Sequence, residues 1–329
     1  MSLFRILHIS DFHFCVHPNR KNWSRLFQDP PSLTLRHFSG PISIATFPSS
    51  YSDEMAEASA RFVLEEGENF DLFVVSGDVA TIGTKESIAA AFNFIDDKRV
   101  HEYLNSQWRP TLGADEERFF LVPGNHDRYR DIFGGTASPE FDRAFTKYWR
   151  PTHGVQHRVI QDGDSHLAVV AGDFCLATDD EASGLNRLGR GKAHAEVVDE
   201  MISRTANLRG KYSDLIAIWV VHFPPIGLPW KESPLVLIDA DYFRSQAKRY
   251  GVALVLAGHL HRNQVDLSPN QTPVICGGSM CVCEGTDHNW IHGIEIECEG
   301  GEVREVRKND FVWNDNVGDF VGTSFSRIL

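Results

Sequence analysis

The chain begins with the segment FRILHISDFH (residues 4–13), in which an apolar run ends in residue types that bind metals. The run from Phe4 to Ser10 is short and mostly apolar, a composition that predicts a buried strand. Asp11 and His13 follow it directly. Because side-chain direction repeats every two residues in an extended chain, Asp-x-His places both side chains on one side of the backbone. The segment therefore predicts a strand that presents two ligands to one cation.

Further apolar runs of the same kind occur along the chain, and amphipathic stretches with helical spacing lie between several of them. The predicted strands are 70–76, 118–122, 167–171, 215–221 and 252–257, and the predicted helices are 53–68, 87–108, 192–207 and 240–250. Alternation of strands and helices favours an α/β layered fold. Later segments at 273–276, 291–296 and 302–306 follow one another with no helix between them, which predicts a closing antiparallel sheet.

The organisation of the chain points to one domain. It contains no internal repeat, low-complexity tract or long Pro/Ser linker. We expect this domain to span residues 1–308, with long loops at 14–52 and 128–166 that are either functional or peripheral. The second loop is expected to contain a short helix at 139–149. Residues 309–329 are rich in aromatic side chains and are expected to form a tail that packs on the body or at a subunit interface.

Composition and charge restrict the class of protein. The chain has 329 residues, of which 42% are hydrophobic and 23% charged, as in an ordinary packed globule. The 45 acidic residues outnumber the 32 Lys and Arg residues, for a formal charge of −13, which disfavours broad binding to nucleic acid or anionic lipid. No apolar run reaches the roughly 18 residues of a membrane helix, and the first residues are too polar for a signal peptide. We therefore expect a soluble cytoplasmic protein.

The six cysteines show no CxxC spacing of the zinc-ribbon or thioredoxin kind. Most lie in strand-like segments, so we expect buried, reduced thiols. Cys281 and Cys283 form a CxC pair, which is explained either as a metal site or as alternate residues on one strand face.

Residue types that bind metals also follow four of the later strands. These clusters are Ser76-Gly77-Asp78, Gly124-Asn125-His126-Asp127, His222-Phe223-Pro224-Pro225 and Gly258-His259-Leu260-His261. In open α/β sheets, ligands bind beyond the carboxyl ends of the strands. A single buried histidine is more often a core residue than a ligand, and Gly-Asp pairs are common in turns. Five clusters in this arrangement argue against that explanation. Carboxylate, imidazole and amide ligands suit Mn, Fe, Zn or Mg.

Together these motifs resemble the calcineurin-like metallophosphoesterases. The resemblance implies a four-layer αββα sandwich with two mixed β-sheets and a binuclear metal centre at the edge of the sheets. It implies that Asp11, His13 and His261 hold one divalent ion, that Asn125, His222 and His259 hold the other, and that Asp78 bridges both. Phe223 stands where many relatives have a second histidine, so His222 is the only candidate ligand in that motif.

Two adjacent ions lower the pKa of a shared water, so a metal-bridging hydroxide can attack phosphorus in line near neutral pH. His126 resembles the family histidine that contacts phosphate and assists the leaving group, and we expect Asp127 to orient or charge its imidazole. The predicted substrate-binding residues are Arg128, Asn125 and His126. Neither a GxSxG motif nor a Walker loop is present.

The sequence context of the Gly-Asn-His-Asp motif, followed by Arg128 and Tyr129, resembles the cyclic-nucleotide phosphodiesterase branch, so phosphodiester substrates are favoured. A phosphomonoesterase, including a protein phosphatase, and a catalytically inactive metal-binding scaffold are the alternatives, and the acidic balance disfavours a nuclease. The expected partner is a small phosphate ester, with no membrane; homo-oligomerisation is left open. Further residues that either meet substrate or serve ordinary surface and core roles are Arg20, Lys21, Arg25, Arg130, Arg187, Arg190, Phe12, Phe14, Trp23 and Phe223.

Overall fold

A computed structural model describes residues 1–14, 52–96, 112–129, 138–175, 190–228, 235, 237–282 and 289–329. The strands, in chain order, are β1 (Ser2–Ile9), β2 (Leu72–Val75), β3 (Phe119–Leu121), β4 (Val155–Asp162), β5 (Ser165–Gly172), β6 (Gly191–Lys192), β7 (Leu215–Val220), β8 (Leu237–Ile238), β9 (Leu254–Ala257), β10 (Gln264–Asp266), β11 (Val274–Cys276), β12 (Trp290–Glu299), β13 (Glu302–Asn314) and β14 (Asp319–Arg327). The α-helices are α1 (Asp53–Glu66), α2 (Lys85–Asp96), α3 (Asn125–Arg128), α4 (Glu140–Ala144), α5 (Ala195–Lys211) and α6 (Ala240–Arg249), and Gly67–Asn69 forms a 3-10 turn.

Two six-stranded mixed sheets form the centre of the fold. The first has the order β14-β13-β12-β1-β2-β3, and the second has the order β10-β11-β9-β7-β5-β4. In the first, β1, β2 and β3 are parallel while β12 to β14 are antiparallel. In the second, β11, β9, β7 and β5 are parallel and the two edge strands are antiparallel. The parallel strands thus lie at the interior of the second sheet, whereas in the first sheet β3 is parallel to its neighbour and forms an edge.

Alternate residues of β5 show how the layers are stacked. Leu167 and Val169 pack in the core shared by the two sheets, whereas Ala168 and Val170 pack in the cluster formed with α5 and α6. On the other side, α1 covers the first sheet through Phe62, whose ring contacts Phe311 and Phe320. The predicted four-layer αββα sandwich is confirmed.

Residues 309–329 were expected to form a tail that packs on the body or at a subunit interface. They lie on the body as part of the first sheet: β13 continues to Asn314, and β14 forms the edge of that sheet. The closing segments do not form one antiparallel sheet, because β11 joins the second sheet parallel to β9 while β12 and β13 extend the first. Short strands of this kind carry no information about which sheet they join.

The predicted loop at 128–166 contains β4 as well as the short helix α4. β4 is an edge strand whose residues after Gln156 are half-exposed or exposed, so its sequence lacks a continuous apolar run. Most of the predicted loop at 14–52, and residues 97–111 of the second predicted helix, lie outside the described residues.

Four of the six cysteines lie in the described chain. Cys175, Cys276, Cys281 and Cys298 are free and buried, as predicted, whereas Cys15 and Cys283 lie outside the described residues. Within the part of the chain that the structure covers, no helix has the length and apolar character needed to cross a bilayer.

Candidate metal centre

The predicted ligands lie where five strands end. Asp11, Asp78 and Asn125 follow β1, β2 and β3 of the first sheet, and His222 and His259 follow β7 and β9 of the second. The carboxyl ends of these strands meet at one edge of the sandwich. The structure brings the seven predicted ligands together there. Six of them belong to groups of three residues, and within each group the metal-binding atoms lie within 4.8 Å of one another.

One group of three ligands joins the two sheets. It consists of Asp11, His13 and His261. The Nε2 atom of His261 lies 3.3 Å from Asp11 Oδ1 and 3.0 Å from His13 Nε2. His13 Nε2 in turn lies 3.8 Å from Asp11 Oδ1. Three buried donor atoms of types that divalent cations accept therefore face one point.

A second group consists of Asp78, His222 and His259. His222 Nε2 lies 3.2 Å from Asp78 Oδ2. The amide oxygen of Asn125 completes this group, at 2.8 Å from His222 Nε2 and 3.1 Å from His259 Nδ1.

Asp78 belongs to the second group and also lies close to the first. Its Oδ2 atom is 3.2 Å from His222 Nε2 in the second group and 3.8 Å from His13 Nε2 in the first. Burial alone would raise the pKa of Asp78, but the surrounding imidazoles, His222 first, hold that pKa well below its ordinary value. The carboxylate is therefore ionised and shared.

The residues present fit divalent cations. The Nδ1 atom of His222 faces the carbonyl oxygen of Ser76 at 2.8 Å, so Nδ1 carries the proton and the Nε2 lone pair is directed at Asp78 and Asn125. Burial would lower the pKa of His222, but Asp78 raises it to about 9, so a proton and a cation compete for Nε2. His13 Nδ1 is buried with no partner among the described residues.

Five of the ligands have left-handed backbones, which only glycine adopts readily. The φ angles are 53° at Asp11, 46° at His13, 52° at Asp78, 70° at His259 and 51° at His261. Such conformations cost about 1–3 kcal/mol each and are concentrated at functional sites. Gly124 permits the close approach of two strand ends, since a Cβ atom there would lie 2.1 Å from Asp78 Oδ1.

His126 lies beside the metal-binding groups with one ring nitrogen already engaged. Its Nδ1 atom donates to the carbonyl oxygen of Thr81 at 2.8 Å, and its backbone N–H donates to Asp78 Oδ1 at 2.8 Å. The ring centroid lies 4.6 Å from that of His13. Nε2 is therefore the nitrogen that can meet a substrate at the centre.

Asp127 has a different role from the one predicted. Its buried carboxylate accepts hydrogen bonds from the backbone N–H groups of Val79, Ala80 and Gly124, at 3.3, 2.9 and 2.9 Å. Burial, followed by repulsion from Asp78, raises the pKa of Asp127 to about 7. Asp127 ties the ligand-bearing turns together, and Thr81 holds the His126 ring.

Arg128 is not a substrate contact. Its side chain is buried, and its Nε and Nη2 atoms donate to Asp173 Oδ2 at 2.9 and 2.6 Å. Its Nη1 and Nη2 atoms also donate to the carboxylate of Asp142, at 2.7 and 2.9 Å. Sequence reasoning missed Asp173, although it follows β5 in a Gly-Asp pair like the one that carries Asp78.

The remaining candidates are placed as follows. Phe12 and Phe14 are core residues packed on Phe94, and Phe223 is buried with its ring 4.7 Å from that of His259. Arg190 is partly buried. Arg20, Lys21, Trp23, Arg25, Arg130 and Arg187 lie outside the described residues.

The αββα sandwich thus carries, at the joint edge of its sheets, a centre of carboxylate and imidazole groups that suits divalent cations. Residues 4–263 match the family model described as calcineurin-like phosphoesterase, and the chain belongs to this family. It is accordingly a metallophosphoesterase, a hydrolase of phosphate esters, as the motifs predicted. No curated protein matches the chain in a sequence comparison.

Solved structures share the fold at low sequence identity. The chain is similar to GAP50, the anchor in the inner membrane complex of Plasmodium, with 14% identity, a TM-score of 0.53 and coverage of 100% of this chain and 89% of that one. It is also similar to a dimetal phosphatase from Danio rerio, with 12% identity, a TM-score of 0.53 and coverage of 99% and 100%.

Proposed function

We propose that the chain is a phosphoesterase with two divalent cations, and that it prefers phosphodiesters of the cyclic-nucleotide kind. The observation that carries this proposal is the position of Asp78. Its Oδ2 atom lies close to His13 Nε2 of the first ligand group and to His222 Nε2 of the second. One ionised carboxylate shared by two groups of ligands is the arrangement that two adjacent cations require. Mn, Fe, Zn and Mg all suit these ligands.

Bound cations would supply an activated water and would neutralise charge on the phosphoryl oxygens. The protein residues supply position and proton transfer. Asn125 and four of the five ligands with left-handed backbones are buried, and His259 is partly buried. We expect a centre built on such turns to need little rearrangement when substrate arrives. His126 is oriented by the bond from its Nδ1–H to Thr81, and in the imidazolium form it also carries a proton on Nε2, which it would donate to the leaving oxygen.

The preference for diesters is supported by the state of Arg128, the cation that follows the Gly-Asn-His-Asp motif. A diester carries one negative charge, whereas a monoester carries up to two. Arg128 is neutralised by Asp142 and Asp173, so this residue offers no positive charge to the second negative charge of a monoester.

The competing functions make different predictions. A phosphomonoesterase would hydrolyse p-nitrophenyl phosphate faster than bis-p-nitrophenyl phosphate, and an inactive scaffold would hydrolyse neither. The scaffold is disfavoured because all seven ligands and His126 are kept and converge.

The test is to measure both hydrolysis rates with added Mn²⁺ and with a chelator, together with the metal content per chain. We expect two ions per chain, faster turnover of the diester and loss of turnover with chelator. A faster monoester rate would overturn the substrate preference, and one ion per chain would overturn the binuclear centre.

We also propose a single catalytic domain that includes the C-terminal strands, a cytoplasmic location, and a small phosphate ester as partner. The four described cysteines support a reducing compartment, because all are free and buried. Fractionation of cells under conditions that preserve thiols would test the location.

A further inference from the structure

Behind the metal centre, a row of polar side chains crosses three neighbouring strands of the first sheet. His8 on β1 is directly opposite His292 on β12, and His292 is directly opposite Asp310 on β13. Side chains of directly opposed residues lie on the same face of a sheet. The row faces the second sheet, because His292 Nε2 lies 3.2 Å from the carbonyl oxygen of Cys276. Both histidines are completely buried.

The row is anchored at its outer end. Asp310 accepts hydrogen bonds from His292 Nδ1 at 2.6 Å, from Lys308 Nζ at 2.6 Å and from Asn263 Nδ2 at 2.9 Å. These bonds fix the plane of the His292 ring, whose centroid is 5.9 Å from that of His8. His292 thus packs His8 against the ends of β1 and β2.

At its inner end the row contacts the turn that carries metal ligands. His8 Nε2 lies 2.9 Å from the hydroxyl of Ser76, which donates to the Ser10 hydroxyl at 2.8 Å. Ser10 directly precedes Asp11, and Ser76 lies two residues before Asp78. The hydroxyl pair therefore joins the two strand ends that present Asp11 and Asp78.

Ser76 also acts through its backbone. Its carbonyl oxygen accepts the hydrogen bond from His222 Nδ1 that directs Nε2 toward the centre. The next residue, Gly77, has a φ of 104°, and a Cβ atom there would lie 2.5 Å from His222 Nδ1. Rotation of the Ser76 peptide would therefore turn the His222 ring away, so the orientation of this peptide matters to the ligand.

A purely structural role does not account for His8 well. Burying a polar ring costs free energy unless it is hydrogen-bonded, and His8 Nδ1 has no partner among the described residues. An apolar residue at this position of β1 would continue the core formed by Ile6 and its neighbours. Among the described residues, the ring of His8 is hydrogen-bonded to Ser76 through Nε2.

We propose that His8 is a positioning residue for the metal centre, acting through the Ser76 hydroxyl to hold the peptide that orients His222. This inference rests on the proposed function, because it assumes that His222 binds a cation. His8 touches no ligand side chain itself. Groups that orient metal ligands in this way change metal affinity or activity by about 10- to 100-fold when removed.

The experiment measures Mn²⁺ affinity by chelator competition and hydrolysis of bis-p-nitrophenyl phosphate in four proteins. His8→Leu removes the hydrogen bond, and His8→Gln keeps a side-chain N–H at similar reach. Ile296→Ala is the control, since Ile296 is buried in the same sheet but makes no side-chain hydrogen bond. We expect His8→Leu to weaken Mn²⁺ binding by about 10- to 100-fold, with substantial recovery in His8→Gln. The control should lower the thermal midpoint without changing affinity.

Ser76→Ala, alone and combined with His8→Leu, tests the route. If His8 acts through the hydroxyl, the two losses should not add. The double variant should then bind Mn²⁺ as tightly as whichever single variant binds it less tightly. Unchanged affinity and rate in His8→Leu, or an equal loss in Ile296→Ala, would overturn the inference while leaving the proposed function intact. A wild-type protein that takes up no Mn²⁺ would overturn both.

Discussion

The Nε2 atoms of His13 and His261 lie 3.0 Å apart, although 248 positions separate the two residues in the chain. Two imidazole nitrogens at this distance need a shared proton or a cation close to both. Burial, together with the nearby His126, lowers the pKa of His13 well below its ordinary value, so a proton is held there weakly. Asp11 Oδ1 lies within 4 Å of both nitrogens, which favours a cation.

Replacing Asp78 by Asn should abolish metal-dependent turnover. The substitution keeps the size of the side chain but removes the shared charge, so the two ligand groups lose their common anion. We expect kcat/KM to fall by at least about 1000-fold, because metal ions supply several kcal/mol of transition-state stabilisation. Activity and metal content are the measurements. Asp71→Asn, at an exposed position before β2, is the control and should keep both.

Replacing His126 by Ala should lower kcat while both metals stay bound. General acid catalysis contributes about 100- to 10,000-fold, and we place the donated proton on Nε2. His157→Ala, on the exposed edge strand β4, should leave kcat unchanged. Loss of metal from the His126 variant would instead show that this histidine is a ligand, as its proximity to His13 and Asp78 would permit.

Replacing Arg128 by Met should destabilise the fold. Asp173 would be left buried without its cation, and breaking a buried ion pair costs about 3–5 kcal/mol. Chemical denaturation measures the change in the free energy of unfolding. Arg143→Met removes an exposed pair with Glu140 and should cost less than about 1 kcal/mol. Normal stability with a raised KM would restore Arg128 as a substrate contact.

Glycine should be more stable than alanine at position 259. His259 has a φ of 70°, a conformation that costs an L-residue about 1–2 kcal/mol. With chelator present, we expect His259→Gly to unfold at higher denaturant than His259→Ala. The opposite order is expected at exposed Ser245 inside α6, where glycine is the poorer residue by about 1 kcal/mol. The same order at both positions would show that the backbone at 259 is not strained.

His8 should make stability depend on pH. Burial, with smaller contributions from His292 and Lys308, lowers the pKa of folded His8 well below its ordinary value of 6.5. Below this value the unfolded chain binds a proton that the folded chain does not, so stability falls as pH falls. Between about pH 7.5 and pH 5.5, His8→Gln should lose about 1.4 kcal/mol less stability than the wild type. Denaturation in chelator at both pH values measures this, and identical losses would contradict the lowered pKa.

Sequence could predict which residues converge at the centre because each of the five strand ends couples a local apolar run to a local polar motif. Asp11 and His13 are recognisable without any knowledge of the fold. The partners of Arg128 are not, because Asp173 is 45 positions away and only the sheet order brings it close. The role of Asp127 was mistaken for a related reason: its partners are backbone N–H groups, and no residue type reveals where these point.

The strands that were not predicted lie where the sheets are exposed. β4 and β14 are edge strands with half-exposed or exposed residues, and their sequences lack the continuous apolar run of a buried parallel strand. His8 is a single polar residue within the apolar run of β1, and only its neighbours on β12 and β13 reveal the polar row to which it belongs.

Each ligand group draws side chains from both halves of the sandwich: Asp11 and His13 come from one sheet and His261 from the other, and Asp78 and His222 are divided in the same way. Bound cations would consequently link the two sheets at the edge where the ligands lie. Any substitution that lets the sheets slide, such as truncation of Leu254 in the core between them, would alter the spacing of the two ions without touching a ligand. Catalytic activity should therefore depend on how the two sheets pack against each other.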